Sequence, residues 1–281
     1  MKIISLIGAR PQFIKEAIVN KELKEKENIK EIIVHSGQHY DFNMSDVFFK
    51  VLNIQKPDYF LNVGSGLHGE MTGKIMIEFE KVVLKEKPVI ILVYGETNTT
   101  LAGAVVGAKL KIPVAHIEPG IRQEPKDMPE EINRTLTDHV STFLFCPSKL
   151  SVKNLEKEGI TKGVYFVGEV MYDLYLEMED KFKYDIFREL KLKENEYIVM
   201  TLHRDFNANK KERVKEYNFE KYLEKVKVIE PIDYLNLTEL IKKSWKILTD
   251  SGGLQKEAYF AKKRAIVVMP DTGWRKLIEV G

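Results

Sequence analysis

A single cysteine, Cys146, leaves no partner for an internal disulfide and no thiolate cluster for a metal. A reducing cytoplasm is the compartment to expect for such a chain. Net charge is nearly absent as well: 44 basic and 42 acidic side chains leave +2. They are mixed along the chain without a polybasic tail, so nothing points to a nucleic-acid partner. No apolar run approaches the roughly 20 residues of a membrane span, and the stretch Met1 to Gly8 is too short for a signal peptide. The glycine set of a dinucleotide fingerprint is also missing, since one glycine alone, Gly8, follows the first apolar run. That argues against a nicotinamide cofactor, and no other cofactor or metal is expected.

What is present is ample core material, 44% hydrophobic with 31% charged residues over 281 positions, which fits two domains. The chain is organised around 89–138. Val89 to Val93, bounded by Pro88 and Gly95, reads as a strand buried on both faces. It delivers Glu96 and the hydroxyls of Thr97, Thr99 and Thr100 to an Ala/Gly-rich helix, Leu101 to Leu110. A second buried strand, Val114 to Ile117, delivers Glu118. Pro119, Gly120 and Arg122 follow in a loop, and a helix starting near Pro129 carries Glu130, Glu131, Asn133 and Arg134. A lone glutamate after a strand is usually a solvated loop residue. Two in succession, with a third acid at a helix start, suggest a site at the carboxyl edge of a parallel sheet, where ligands bind in such folds.

The flanking segments repeat the alternation. Ile3 to Ile7 is a strand, and Gly8-Ala9-Arg10-Pro11 leads into a helix from about Gln12 to Lys24. Free amides and the helix dipole make a phosphate-sized anion site plausible there, with Arg10 and Lys15 adding positive charge. Ile32 to Val34 ends in a loop with His35, Gln38 and His39. A glycine-rich loop, Gly64 to Gly69, precedes a long amphipathic helix ending near Lys85. Phe143 to Cys146, Leu150 to Lys157 and Val164 to Val167 continue the strand and helix pattern. Together these make residues 1–176 a doubly wound α/β domain, 177–195 a charged crossing and 196–281 a second, shorter α/β domain. In the latter, Tyr197 to Leu202 presents His203 and Arg204, and Asp205 to Lys227 reads as solvated helix. Ile247 to Thr249 leads to Asp250-Ser251-Gly252-Gly253 and a helix, Leu254 to Phe260. Taken alone, that turn is equally an anion cradle or a plain helix cap.

Seven segments together resemble the non-hydrolysing UDP-N-acetylglucosamine 2-epimerases: Gly8 to Lys15, Ser36 to His39, Val93 to Thr100, His116 to Arg122, Met128 to Asp138, Thr201 to Arg204 and Leu248 to Glu257. The resemblance implies a GT-B-like fold, two Rossmann-like domains facing a cleft, here with the second shortened. It also implies inversion at carbon 2 of a UDP-linked N-acetyl sugar, without metal or nicotinamide, for surface polysaccharide synthesis. In that family a base removes the carbon-2 proton as UDP leaves carbon 1. Both then return to the trapped glycal with inverted configuration. Glu96, Glu118, Glu131 and His203 occupy the implied catalytic positions. Arg10, Lys15, Gln38, His39, Arg134, Arg204, Ser251, Gly252, Gly253 and Glu257 occupy those implied for substrate and UDP. A homodimer is implied too. GARPQFIK and VYGETNTTLAGA are closer to the branch acting on UDP-2,3-diacetamido sugar uronic acids.

Three departures stand against this pattern. Glu96 replaces a usual Asp, and the added methylene displaces the carboxylate. Pro119 replaces a usual Ala and removes an amide donor beside Glu118. The second domain is short around 203–229, and the chain stops at Gly281 where family members continue. They keep a second reading open: a sugar-nucleotide-binding or oligomerisation homologue with impaired catalysis.

Overall fold

The computed structural model describes residues 1–37, 55–183, 185–202, 226–230, 232–269, 271–275 and 277, with the backbone alone for Arg10. The chain divides into two compact units, Met1–Glu177 and Met178–Gly281.

The first unit grows from strands that are buried along almost their whole length. β1 (Lys2–Ile7) and β2 (Lys30–His35) each bury five consecutive residues. That pattern requires cover on both faces and suits a parallel sheet rather than an alternating edge. β3 (Tyr59–Phe60), β4 (Ile90–Tyr94), β5 (Val114–Ile117), β6 (Phe143–Cys146) and β7 (Val164–Phe166) complete a seven-stranded sheet in the order β3-β2-β1-β4-β5-β6-β7. Every pairing is parallel.

The helices are α1 (Arg10–Lys24), α2 (His68–Glu86), α3 (Asn98–Lys109), α4 (Pro129–Val140), α5 (Lys149–Lys157) and α6 (Val170–Glu179). α3 is built of small residues because it lies close on the sheet: a Cβ at Gly107 would sit 2.5 Å from Val114 Cγ2. Ile4, Leu6, Val34, Ile75, Phe79, Ile91 and Val93 form the heart of the core between this sheet and its helices.

The second unit holds α7 (Asp185–Glu189), β8 (Ile198–Thr201), α8 (Tyr234–Lys243), β9 (Lys246–Thr249), α9 (Gly252–Phe260) and β10 (Arg264–Val267). Its described strands form a parallel sheet, β10-β9-β8. Asp233 starts α8 by accepting the Asn236 amide at 2.9 Å, and Ile241, Ile247, Leu254 and Ala258 pack between helices and sheet.

Both units are therefore α/β with parallel sheets, as expected, and element limits differ from the sequence reading by a few residues. The largest shift is at α3, expected from Leu101 but starting at Asn98. Thr97 caps it by accepting the Thr100 amide at 3.3 Å, which recruits the hydroxyl residues into the first turn. The helix expected over Asp205 to Lys227 lies almost wholly outside the described residues. Among the described residues no helix is long and apolar enough to cross a membrane.

Candidate active site

The order of the larger sheet reverses between β1 and β4, the topological switch point where doubly wound folds leave a crevice at the strand ends. Two turns meet there, Gly8-Ala9 after β1 and Gly95-Glu96-Thr97 after β4. The expected anion site at the first of them is already filled. Gln12, buried on α1, accepts the Gly8 and Ala9 amides through Oε1 at 2.7 and 2.9 Å. Its Nε2 lies 2.8 Å from the Tyr94 carbonyl, 3.1 Å from Thr97 Oγ1 and 3.0 Å from Thr100 Oγ1. One side-chain amide thus ties the two turns together and takes the Gly8 and Ala9 amides. The threonines are structural as well. Thr100 donates to the Tyr94 carbonyl at 2.6 Å, and Thr99 meets Ser36 at 2.8 Å between hydroxyls.

The three glutamates come together with their cations one layer further out. Glu118 follows β5 with a left-handed backbone, φ 78°. For a side chain with a Cβ that conformation costs about 1–3 kcal/mol and persists only where the surroundings impose it. Here they do. The Glu118 amide donates to Phe145 O at 3.3 Å, and its carboxylate, 6% exposed, pairs with the buried Lys15 ammonium. Two residues on, Gly120 also has a positive φ, 74°, and lies so close to α5 that a Cβ would fall 2.4 Å from Ser151 O. Glycine is the residue that fits that approach.

Glu131, in the first turn of α4, accepts the Gln123 amide at 3.1 Å and pairs with Arg134. Arg134 also reaches Glu96 Oε1 at 3.7 Å, and Arg122 lies 3.9 Å from the other Glu131 oxygen. Glu96 is the most open of the acids, 35% exposed at its side chain. Its backbone carbonyl accepts from Asn133 at 3.1 Å, and the same amide group meets Asn98 Oδ1 at 3.0 Å. Arg122 is held by Glu158 through two bonds of 2.6 Å and by Asp138 at 2.8 Å. Although burial disfavours its charge, the bonds to Glu158 and Asp138 prevail and raise its pKa. At the edge of the sheet Glu96 and Glu131 thus share Arg134, Arg122 lies by Glu131, and Glu118 pairs separately with Lys15. Such a set can take a proton from carbon while holding compensating charge beside it.

In the second unit, Ser251 caps α9, accepting the Leu254 amide at 3.4 Å, while its own amide donates to Thr249 Oγ1 at 3.0 Å. Gly252 and Gly253 are the first two helical residues, whose amides have no acceptor within the helix. A Cβ at Gly253 would meet nothing nearer than Ser251 Oγ at 3.8 Å, so neither packing nor a positive φ accounts for that glycine. Glu257 is buried one turn on. Thr272 donates to Gln255 at 2.7 Å, and Lys256 lies 4.3 Å over the Trp274 ring, which ties 271–274 to α9.

Gln38, His39, His203 and Arg204 lie outside the described residues, as does the Arg10 side chain. Sequence reasoning missed the role of Gln12, the strained Glu118 backbone and a buried His116–Asp138 pair, in which Nδ1 and Oδ1 lie 2.7 Å apart. A polar residue inside a run of buried strand positions, as His116 is in Val-Ala-His-Ile, was the available signal for the last.

The family model described as UDP-N-acetylglucosamine 2-epimerase matches residues 21–218 and 209–281. A UDP-N-acetylglucosamine 2-epimerase homolog of Methanococcus maripaludis is 44% identical over 306 residues, covering 98% of this chain and 85% of its own. The UDP-2,3-diacetamido-2,3-dideoxy-D-glucuronate 2-epimerase of Pseudomonas aeruginosa is 42% identical over 310 residues, 100% of this chain and 87% of its own. Among solved structures, the Methanocaldococcus jannaschii UDP-GlcNAc 2-epimerase in complex with UDP-GlcNAc and UDP is similar with a TM-score of 0.90. It is 40% identical, and the match covers 100% of this chain and 87% of that one.

Proposed function

The chain belongs to the UDP-N-acetylglucosamine 2-epimerase family, and from that premise we propose that it inverts carbon 2 of a UDP-linked N-acetyl sugar by elimination and re-addition of UDP. The interleaved acids and cations of the first unit carry this reading. Proton removal and return on opposite faces of the sugar need at least two carboxylates, and Glu118 and Glu131 are buried with Glu96 beside them at the strand edge.

We assign the proton transfers to these three acids. Lys15 and Arg134 hold the charge balance as the carboxylates change state, since each already pairs with one of them. The departing diphosphate needs fixed donors, and the open amides of Gly252 and Gly253, with Ser251 and Glu257, are assigned to UDP. Arg10, Gln38, His39, His203 and Arg204 keep their implied roles on the resemblance alone. The substrate is UDP-N-acetylglucosamine or its 2,3-diacetamido uronic acid relative, and the product serves surface polysaccharide synthesis in the cytoplasm.

The assembly is proposed to be a homodimer through the helices of the first unit. Ile132, Leu136 and Val140 are exposed four residues apart along α4, which places them on one helical face. Leu136→Glu should turn a dimer into a monomer in light scattering.

Incubation with each UDP-sugar followed by chromatographic separation of the C2 epimers tests the activity. The expected result is interconversion from either side, abolished in Glu118→Gln. Tight UDP-sugar binding with neither substrate converted would favour the impaired homologue instead.

A further inference from the structure

Among the described residues, His116 and Asp138 touch none of the acids or cations assigned above to the sugar, yet both are fully buried in the first unit that carries them. The imidazole spans two acceptors. Nε2 lies 2.8 Å from the Gly95 carbonyl, which can only accept, so that nitrogen donates. Nδ1 faces Asp138 Oδ1 at 2.7 Å, while Oδ2 of the same carboxylate accepts the Gly120 amide at 3.0 Å and pairs with Arg122 at 2.8 Å. Burial works against the charged form of Asp138, but the bonds from His116, Arg122 and the Gly120 amide prevail and hold its pKa below the usual carboxylate range.

The covalent neighbours of these contacts explain their use. Gly95 precedes Glu96 and turns with φ 65°. Its amide also donates to Ile117 O at 3.0 Å, so the turn is pinned on both sides of one residue. Gly120 follows Glu118 by two positions, across the strained backbone. Through two side chains, the turn carrying Glu96 and the loop carrying Glu118 are fastened to each other and to α4, which carries Glu131.

We propose that His116 and Asp138 are positioning residues that hold the backbone turns of Glu96 and Glu118 in register with Glu131. This rests on the proposed epimerase reading. A general acid or base misplaced by about 1 Å can lose roughly 100-fold in rate while binding is kept. The expected signature is therefore a fall in kcat without a matching rise in KM.

The test measures kcat and KM for epimerisation, UDP affinity by calorimetry and thermal melting for four variants. His116→Phe removes both bonds at similar volume, and His116→Gln keeps one donor should the Phe variant not fold. Both should lose roughly 10- to 100-fold in kcat, with KM and UDP affinity within about threefold. Asp138→Ala should behave alike. Asp138→Asn should recover most of the rate, because its amide can donate to Nδ1 while its oxygen accepts the Gly120 amide, preserving both tethers. Wild-type kcat in folded His116 variants would overturn the proposal. So would an Asp138→Asn variant as slow as Asp138→Ala, which would mark the pair as a charge or proton relay. An inert wild-type chain would instead sink the epimerase reading, and this inference with it.

Discussion

The turn at Gly8 and the turn at Ser251 share one sequence signal, an apolar strand followed by glycine and a helix start, but the structure completes them differently. After β1 the amides of Gly8 and Ala9 are taken by Gln12, and the turn becomes a structural knot joining the ends of β1 and β4. After β9 the cap comes from Ser251 itself, reaching Leu254, and no side chain among the described residues takes the two glycine amides between them, which are proposed to meet UDP. A side chain of the helix itself can thus claim amides that would otherwise be open to an anion. The difference lies in what stands nearby. Gln12 is fixed because the Tyr94 carbonyl and two threonine hydroxyls hold its other end. Ser251 is too short to reach beyond its own first turn.

A methyl group added to each turn should affect the two very differently. At Gly8 a Cβ would fall 2.0 Å from Ser36 Oγ and 2.6 Å from Thr99 Oγ1. Gly8→Ala should therefore lose about 3 kcal/mol, or fail to fold. At Gly253 the nearest atom is 3.8 Å away, so Gly253→Ala should stay within about 0.5 kcal/mol of wild type while binding UDP more weakly. Denaturant melts and UDP titration read both.

The knot should also respond to acid. His35, stacked on Phe60 at 4.4 Å between ring centroids and adjoining the Ser36 that closes on Gly8, is pushed by burial from 6.5 down to about 4. Its folded pKa lies below the unfolded value, so its contribution is complete above 6.5 and is lost as pH falls toward 4. This amounts to about 3 kcal/mol. His35→Asn should flatten that limb in stability measurements taken across the interval.

Gln12→Leu would leave the Gly8 and Ala9 amides without their acceptor in the core, a loss of about 2 kcal/mol in equilibrium unfolding. If the turn were an anion site, emptying it would instead raise UDP affinity in calorimetry, and no such rise is expected. Ser251→Ala should lose less, about 1 kcal/mol for a lost cap.

Much of this architecture was legible beforehand. Buried strands announce themselves as continuous apolar runs, and Glu118, directly after one, and Glu96, one turn past another, are legible at the carboxyl edge of the sheet. Glu131 was legible from its place behind Pro129 at a helix start. The occupancy of donors was not legible. Whether Gln12 turns back to Gly8 depends on where β4 ends relative to β1, a fact of sheet order rather than of local sequence. The same holds for His116, which reads as one more strand residue until Gly95 and Asp138 are seen on either side of its ring. Glu118 likewise carries no local mark of its positive φ, because Pro119 and Gly120 permit the turn without revealing which residue bears the strain.

As proposed, the carboxylates at the edge of the first unit move a proton at carbon 2 of a UDP-sugar. The most direct measurement is proton NMR of the protein with UDP-N-acetylglucosamine in deuterated water, following the carbon-2 hydrogen, with Glu118→Gln and Glu131→Gln alongside. In the wild type that signal should be lost as the manno epimer grows, and at least one variant should show no loss. Full retention of the signal by the wild type, with this sugar and with its diacetamido uronic acid relative, would contradict it.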